Sequence, residues 1–217
     1  MKPNSFETLA TLLQRGSGLV IGPEKQYLLE TRLATVMRES GVRDLDALAE
    51  RLQGQFAGSA EMERQIIEAM TTNESFFFRD DKPFSHARSV ALPRLHAIRP
   101  AGAKIRIWSA ASSSGQEAYS LAMIVAELRG QLGARQVEIF GTDLSREQVQ
   151  RAREGVYTQF EVQRGLPMQY LVKYFRKDGL NWRINDAIRA CLGPEAPPPP
   201  EGREPRSRRI ITTIRRV

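Results

Sequence analysis

The 217-residue sequence has one cysteine, Cys191, and two histidines, His86 and His96. A single thiol excludes a disulfide framework, and with so few imidazoles it leaves too few ligands for a zinc site, so no metal is expected. No apolar run approaches the roughly 20 residues of a membrane span. The opening segment MKPNSFETLATLL puts one Lys and one acid before or among its first apolar positions, which is not the order of a secretory leader. These lacks lead to the expectation of a soluble cytoplasmic protein without membrane insertion. Hydrophobic residues make up 41% of the chain, which allows a sizeable core.

The net charge of +7 is unevenly spread. Residues 191–217 hold six Arg against three Glu, and residues 1–190 hold 26 bases against 22 acids. The main body is therefore ordinary in charge, which argues against a nucleic-acid partner. The basic tail has no aromatic residue for stacking on bases, so a nucleic-acid binder is a weak reading of it too.

Residues 1–72 carry four helical patterns and no convincing strand. Ser5 is placed to cap a helix bearing Phe6, Leu9, Leu12 and Leu13, which Gly16 and Gly18 end. Gly22-Pro23 opens a second helix with Leu29, Leu33, Val36 and Met37 inside, and Gly41 stops it. Asp44 is positioned to cap a short helix with Leu45, Leu48 and Leu52, and Ser59 precedes Met62, Ile66, Ile67 and Met70. A small helical bundle is expected. Its second helix also bears Lys25, Arg32 and Arg38, with Arg43 beyond; this is either a solvated basic face or a docking surface for an acidic protein.

Residues 71–80 break the helical pattern with Thr71, Thr72, Asn73 and Ser75, whose side chains compete for backbone hydrogen bonds. Phe76, Phe77 and Phe78 follow and cannot share one face, so one of them is expected to pack across a domain boundary. Arg79 suits a carboxylate clamp beside donors at Asn73 and Ser75. Phe84, Val90, Leu92, Leu95 and Ile98 suggest one or two helices interrupted at Pro93.

The stretch IRIWSAASSSGQEAYSLAM, residues 105–123, organises the rest. Ile105, Ile107 and Trp108 read as a buried strand, Ser109 to Gly115 as a turn of small residues, and Ala118, Leu121, Ala122 and Val125 as one face of a helix. A turn of small residues at a helix N-terminus favours an anionic ligand group. Val137, Ile139 and Phe140 form a second strand ending at Asp143, which makes a parallel βαβ unit. An acid at that strand end suits ribose hydroxyls, and Ser145 suits an N-cap. The turn's only glycine is Gly115, so it is not G-x-G-x-x-G and a pyrophosphate is poorly supported. A nucleoside with a small zwitterionic tail fits better. Glu117 is either a first-turn acid favoured by the dipole or a ligand contact, and Asp143 either a turn residue or a ligand contact.

The segments TNESFFFRD, IRIWSAASSSGQEAYSLAM and IFGTDLSREQVQRAREGVY resemble, in order and at matching spacing, those of the chemotaxis receptor methyltransferases, the CheR family. The similarity runs from about residue 5 to about residue 190. It implies an α/β protein with an all-helical receptor-docking domain over 1–72, a linker and connecting helices over 73–102, and a Rossmann-like methyltransferase domain over 103–190. It implies S-adenosylmethionine as methyl donor and glutamate side chains on the cytoplasmic domains of chemoreceptors as acceptors, the enzyme being a monomer. By position, Asn73, Ser75 and Arg79 resemble residues that hold the methionine end. Glu117 and Asp143 resemble acidic cofactor contacts, and Arg32 and Arg38 resemble receptor-docking residues. The family often has Thr where this chain has Ser75. Arg79 is also the one candidate for a catalytic role, placing the incoming carboxylate.

After about Ala190 the resemblance stops, and residues 191–217 contain six of the 12 prolines. Such a segment cannot make central strands and reads as an extended or disordered tail, arising from an out-of-frame ending or from a genuine basic tail. On this reading the methyltransferase domain is incomplete, and Trp108, Ile139 and Phe140 would lack packing partners. Weak cofactor binding and impaired activity are expected. The alternative is a receptor-binding module without catalysis.

Overall fold

The computed structural model describes residues 1–54 and 58–192, with the backbone of Thr212 and Thr213. The rest of the expected tail lies outside the described residues. The chain divides after Thr72 into two units. Among the described residues no helix is long and apolar enough to cross a membrane.

The first unit is helical: α1 (Pro3–Ser17), α2 (Gln26–Arg32), α3 (Ala34–Ser40), α4 (Leu45–Gln53) and α5 (Ser59–Met70). The helix α1 begins two residues before the expected cap. Pro3 occupies its first turn and Lys2 its N-cap, while Ser5 is buried inside it. The basic second helix is in fact two, separated at Leu33, whose ψ of 0° opens one turn. Asp44 caps α4 as expected, accepting from the Ala47 N–H at 2.8 Å, and Gly41 ends α3 at φ +67°. Leu29, Leu33, Leu48, Ile66 and Ile67 are essentially fully buried and form the centre of this bundle.

The second unit opens with α6 (Asp81–His86) and α7 (Leu92–Ile98). Residues 87–91 between them form a π-helical turn, so Pro93 sits in the first turn of α7 and does not interrupt a helix. The wider turn absorbs the hydrogen bond that a proline cannot make. Val90 and Ile98 are exposed.

Next come β1 (Ile105–Ala110), α8 (Gln116–Glu127), α9 (Arg129–Leu132), β2 (Val137–Asp143) and α10 (Arg146–Glu154). The strands β1 and β2 are parallel, with Ile105 beside Val137 and Ala110 beside Thr142, as the βαβ reading requires. The helix α8 buries Ala118, Tyr119, Ala122, Met123 and Ile124, so its inner face is rotated from the expected one, leaving Leu121 and Val125 half-buried.

Ile139 and Phe140 are buried, which corrects the expectation that both would lack partners. Trp108 is 54% exposed and corrects the reading of β1 as a buried strand. Its ring stacks on Phe140 and its indole N–H donates to Thr142 Oγ1 at 2.9 Å. Arg106 shares that face two residues earlier and meets Glu138 at 3.1 Å. Lys104, at 2.6 Å, does most to hold the Glu138 carboxyl below the usual range.

A smaller antiparallel sheet follows, with β5 (Asn181–Ile184) between β3 (Val156–Thr158) and β4 (Phe175–Asp178). The helices α11 (Gln159–Gln163) and α12 (Met168–Tyr174) lie between β3 and β4 in the chain, and α13 (Asp186–Arg189) follows β5. Two backbone pairings involve residues beyond Ala190, neither of them a central strand. Leu192 bridges to Ile139, and the backbone of β6 (Thr212–Thr213) pairs antiparallel with Thr142 and Asp143.

Candidate functional site

The C-terminal ends of β1 and β2 place the small-residue turn and Asp143 side by side, where open α/β sheets form their ligand crevices. Asp143 is 8% exposed, and both its carboxylate oxygens accept from backbone. The Ser113 N–H donates to Oδ2 at 2.7 Å and the Ser145 N–H to Oδ1 at 2.9 Å. Ser145 then caps α10 by accepting from the Gln148 N–H. Asp143 is thus first the residue that fastens the turn to β2.

Ser113 also reaches outward, its hydroxyl donating to the Asn73 carbonyl at 2.9 Å. Three segments distant in sequence are therefore joined in one chain of hydrogen bonds, Asn73 to Ser113 to Asp143. The Ser112 N–H donates to the Thr142 carbonyl at 2.9 Å, and the Tyr157 hydroxyl to the Ser114 carbonyl at 2.7 Å. Burial, and then Tyr119 beside it, raises the Tyr157 hydroxyl well above its ordinary value, so it stays protonated and keeps donating. Glu117 is exposed in the first turn of α8, and its carboxylate accepts from Ser109 Oγ at 2.7 Å. That bond ties Glu117 to the end of β1.

Gly115 stands at φ +92°, where a Cβ would approach the Ala152 Cβ to 2.9 Å. Its lack of a side chain therefore serves the packing of α8 on α10.

The segment from Asn73 to Arg79 is fixed from several sides. Phe77 is fully buried, edge-on to Tyr157 at 5.0 Å and to Phe175 at 5.6 Å. Phe78 stacks on Tyr170, and its N–H donates to Ser120 Oγ at 3.0 Å. Phe76 lies under the guanidiniums of Arg79 and Arg164. All three rings have ring or cation partners inside the second unit. Arg79 is exposed and donates to the Glu74 carbonyl at 3.2 Å, and Ser75 is half-buried.

Non-glycine residues rarely adopt positive φ, and such strain gathers at functional sites. Among the described residues it occurs at Phe78, Ala111 and Ser113, in these two segments, and at Asp80, directly after the first.

Asn73, Glu117 and Asp143 are therefore brought to one end of the sheet, with Arg79 at the far end of the Asn73 segment. Arg32 and Arg38 lie in the first unit. Arg32 donates to the Met70 carbonyl at 2.8 Å and the Thr71 carbonyl at 3.3 Å, and reaches Thr72 Oγ1 at 3.4 Å, so it caps the end of α5. Arg38 is exposed. Reading the sequence missed Ser109, Ser113, Ser120, Tyr157 and Arg164. Each acts through hydrogen bonds or ring contacts across the fold, which leave no periodic trace.

Comparison with known proteins identifies the family. The family model for the CheR methyltransferase SAM-binding domain matches residues 73–193, and that for the CheR methyltransferase all-alpha domain matches residues 4–71. The chain is 40% identical over 190 residues to chemotaxis protein methyltransferase 1 of Pseudomonas aeruginosa, covering 85% of this chain and 68% of that protein. It is 36% identical over 189 residues to chemotaxis protein methyltransferase Cher2 of Pseudomonas putida, with the same coverage. A chemotaxis protein methyltransferase of Vibrio parahaemolyticus is 36% identical over 180 residues, covering 80% of this chain and 62% of that protein.

Proposed function

This chain belongs to the CheR methyltransferase family, and from that premise we propose that it methylates glutamate side chains on the cytoplasmic domains of chemoreceptors, acting in the cytoplasm as a monomer. The observation that carries the proposal is the bonded set Asn73, Ser113 and Asp143 at the ends of two parallel strands, with Glu117 beside it.

The residues present suit S-adenosylmethionine. The Asp143 oxygens each accept one backbone N–H, and each keeps a lone pair for a ribose hydroxyl. Glu117 is open to solvent beside the turn and suits the cofactor's positive charge. Arg79 is exposed and makes one backbone contact, which leaves its other N–H groups for the cofactor carboxylate. Asn73 and Ser75 stand in the same segment and are assigned to the methionine end.

When bound, S-adenosylmethionine supplies a sulfonium methyl group that an ionised carboxylate can attack directly. The protein's part is orientation, which in aligned reactions contributes about 7–11 kcal/mol at most. Asp143 and Glu117 fix the cofactor from the sheet side. Arg79 holds the methionine carboxylate and also places the incoming glutamate. No side chain needs to move a proton, which accords with a site built from carboxylates, hydroxyls and one guanidinium.

Receptor docking falls to the basic second helix pair of the first unit. Arg32 is committed to the end of α5, so Arg38 carries more of that role. On the sheet side, β1 pairs only with β2 among the described residues, and the polar groups gathered here address the ribose and methionine ends. Weak cofactor binding is expected, and a micromolar dissociation constant by titration calorimetry would refute it. The activity itself is tested by transfer of labelled methyl to receptor cytoplasmic fragments. Wild-type transfer that Arg79→Ala and Asp143→Asn both reduce supports the proposal; binding to the fragments without any transfer overturns it.

A further inference from the structure

We infer that Arg164 is a positioning residue for the segment Asn73–Arg79, aiming it at the amino-acid end of the cofactor; this rests on the cofactor reading given above. Arg164 lies 90 residues away in sequence, after α11. Its Nη2 meets Glu74 Oε1 at 2.6 Å, and its guanidinium sits 4.4 Å from the centroid of the Phe76 ring. Arg79 sits over the same ring at 5.4 Å and donates to the carbonyl of Glu74. Glu74 therefore holds both cations, one through its carboxylate and the other through its backbone, and both lie against Phe76. Two guanidiniums that share a ring repel each other, and the Glu74 carboxylate offsets this on the Arg164 side. The Arg164 contact also holds the Glu74 carboxyl below its ordinary range.

The next residue fixes the same segment from its backbone. Gly165 stands at φ +83°, and a Cβ there would lie 2.0 Å from the Phe77 carbonyl oxygen and 3.1 Å from Phe76 Cδ2. The chain at 164–165 thus lies directly against Phe76 and Phe77, at a spacing that only glycine permits.

The magnitudes separate positioning from folding. The Arg164–Glu74 side chains are 42% and 54% exposed, and such ion pairs add little to stability. The ordering of Arg79 is the more sensitive quantity, because Arg79 depends on Glu74 and Phe76 for its placement.

The test uses two ligands in titration calorimetry: S-adenosylhomocysteine, and 5′-methylthioadenosine, which shares the adenosine and sulfur but lacks the amino-acid tail. Arg164→Ala is expected to weaken S-adenosylhomocysteine about tenfold, as for loss of one charge-assisted contact, and to leave 5′-methylthioadenosine unchanged. Arg164→Lys is expected to recover part of the loss, since it restores the charge on Glu74 without the planar contact to Phe76. Equal weakening of both ligands would mean a structural role and overturn the inference, as would no change in either. Wild-type protein that binds neither ligand overturns the cofactor reading, and this inference with it.

Discussion

Replacing Asp143 tests whether the carboxylate at the end of β2 is a structural fastener as well as a ligand group. In Asp143→Ala the N–H groups of Ser113 and Ser145 lose their acceptor, and both bonds are buried. Each buried donor left unpaired costs about 1–3 kcal/mol. Against this, Ser113 is held at φ +49°, and its release returns some of the roughly 1–3 kcal/mol that such a conformation stores. The net expectation is a loss of about 2–4 kcal/mol from the second unit. Asp143→Asn keeps one oxygen acceptor and turns an amide N–H₂ toward the other donor, so it should cost about half as much. Urea unfolding followed by tryptophan fluorescence reads this unit alone, because the only tryptophans, Trp108 and Trp182, both lie in it. An Asp143→Ala protein with the wild-type midpoint, or Asp143→Asn less stable than Asp143→Ala, would refute the reasoning. The result also determines how methyl-transfer data are read, because Asp143→Ala removes a ligand contact and loosens the turn together.

Two further outcomes follow from packing and capping. Phe77→Ala should cost the second unit about 3–5 kcal/mol, the range for deleting a fully buried aromatic ring, in the same fluorescence assay; a loss below about 1 kcal/mol would remove Phe77 from the core. Arg32→Ala should raise hydrogen-exchange rates at the end of α5, in peptides spanning residues 62–72, by about five- to tenfold for the loss of roughly 1 kcal/mol of capping. Unchanged exchange would leave Arg32 with a surface role alone.

The helical unit was largely legible because its signals are local. Asp44 and Gly41 terminate helices by their own chemistry, and the spacing of Leu29, Leu33 and Val36 marks an inner face. The βαβ unit was legible for the same reason, through Ile105 and the run from Val137 to Asp143. Leu180 to Ile184 reads as a short strand, but the rest of the small antiparallel sheet was harder. Its strands are three and four residues long, too short for a period-2 pattern to stand out. A signal for one hairpin does exist: Gly179, at φ +60°, opens a two-residue turn between Asp178 and Asn181. Trp108 was misplaced because apolar alternation does not say which face of a strand gets covered. Its neighbours Arg106 and Lys104, paired to Glu138, were the available clue that this face meets water.

The site shows why motif positions alone do not assign contacts. Phe78, Asp80, Ala111 and Ser113 are all held at positive φ, at a combined cost of about 4–12 kcal/mol. A domain stable by about 5–15 kcal/mol keeps that much strain only if surrounding bonds enforce it. Those bonds are visible: Ser120 on Phe78, Asp143 on Ser113, and Ser113 in turn on Asn73. The groups read as cofactor contacts thus overlap with the groups that keep the two segments in shape. Loss of binding on substituting Asn73 or Asp143 would therefore be expected whether the side chain touches the ligand or only holds the wall that does. Arg79 and Glu117 differ, because both are exposed and neither fastens a strained residue. Substitution at these two positions, with the unfolding midpoint unchanged, is where a loss of binding reports a direct contact.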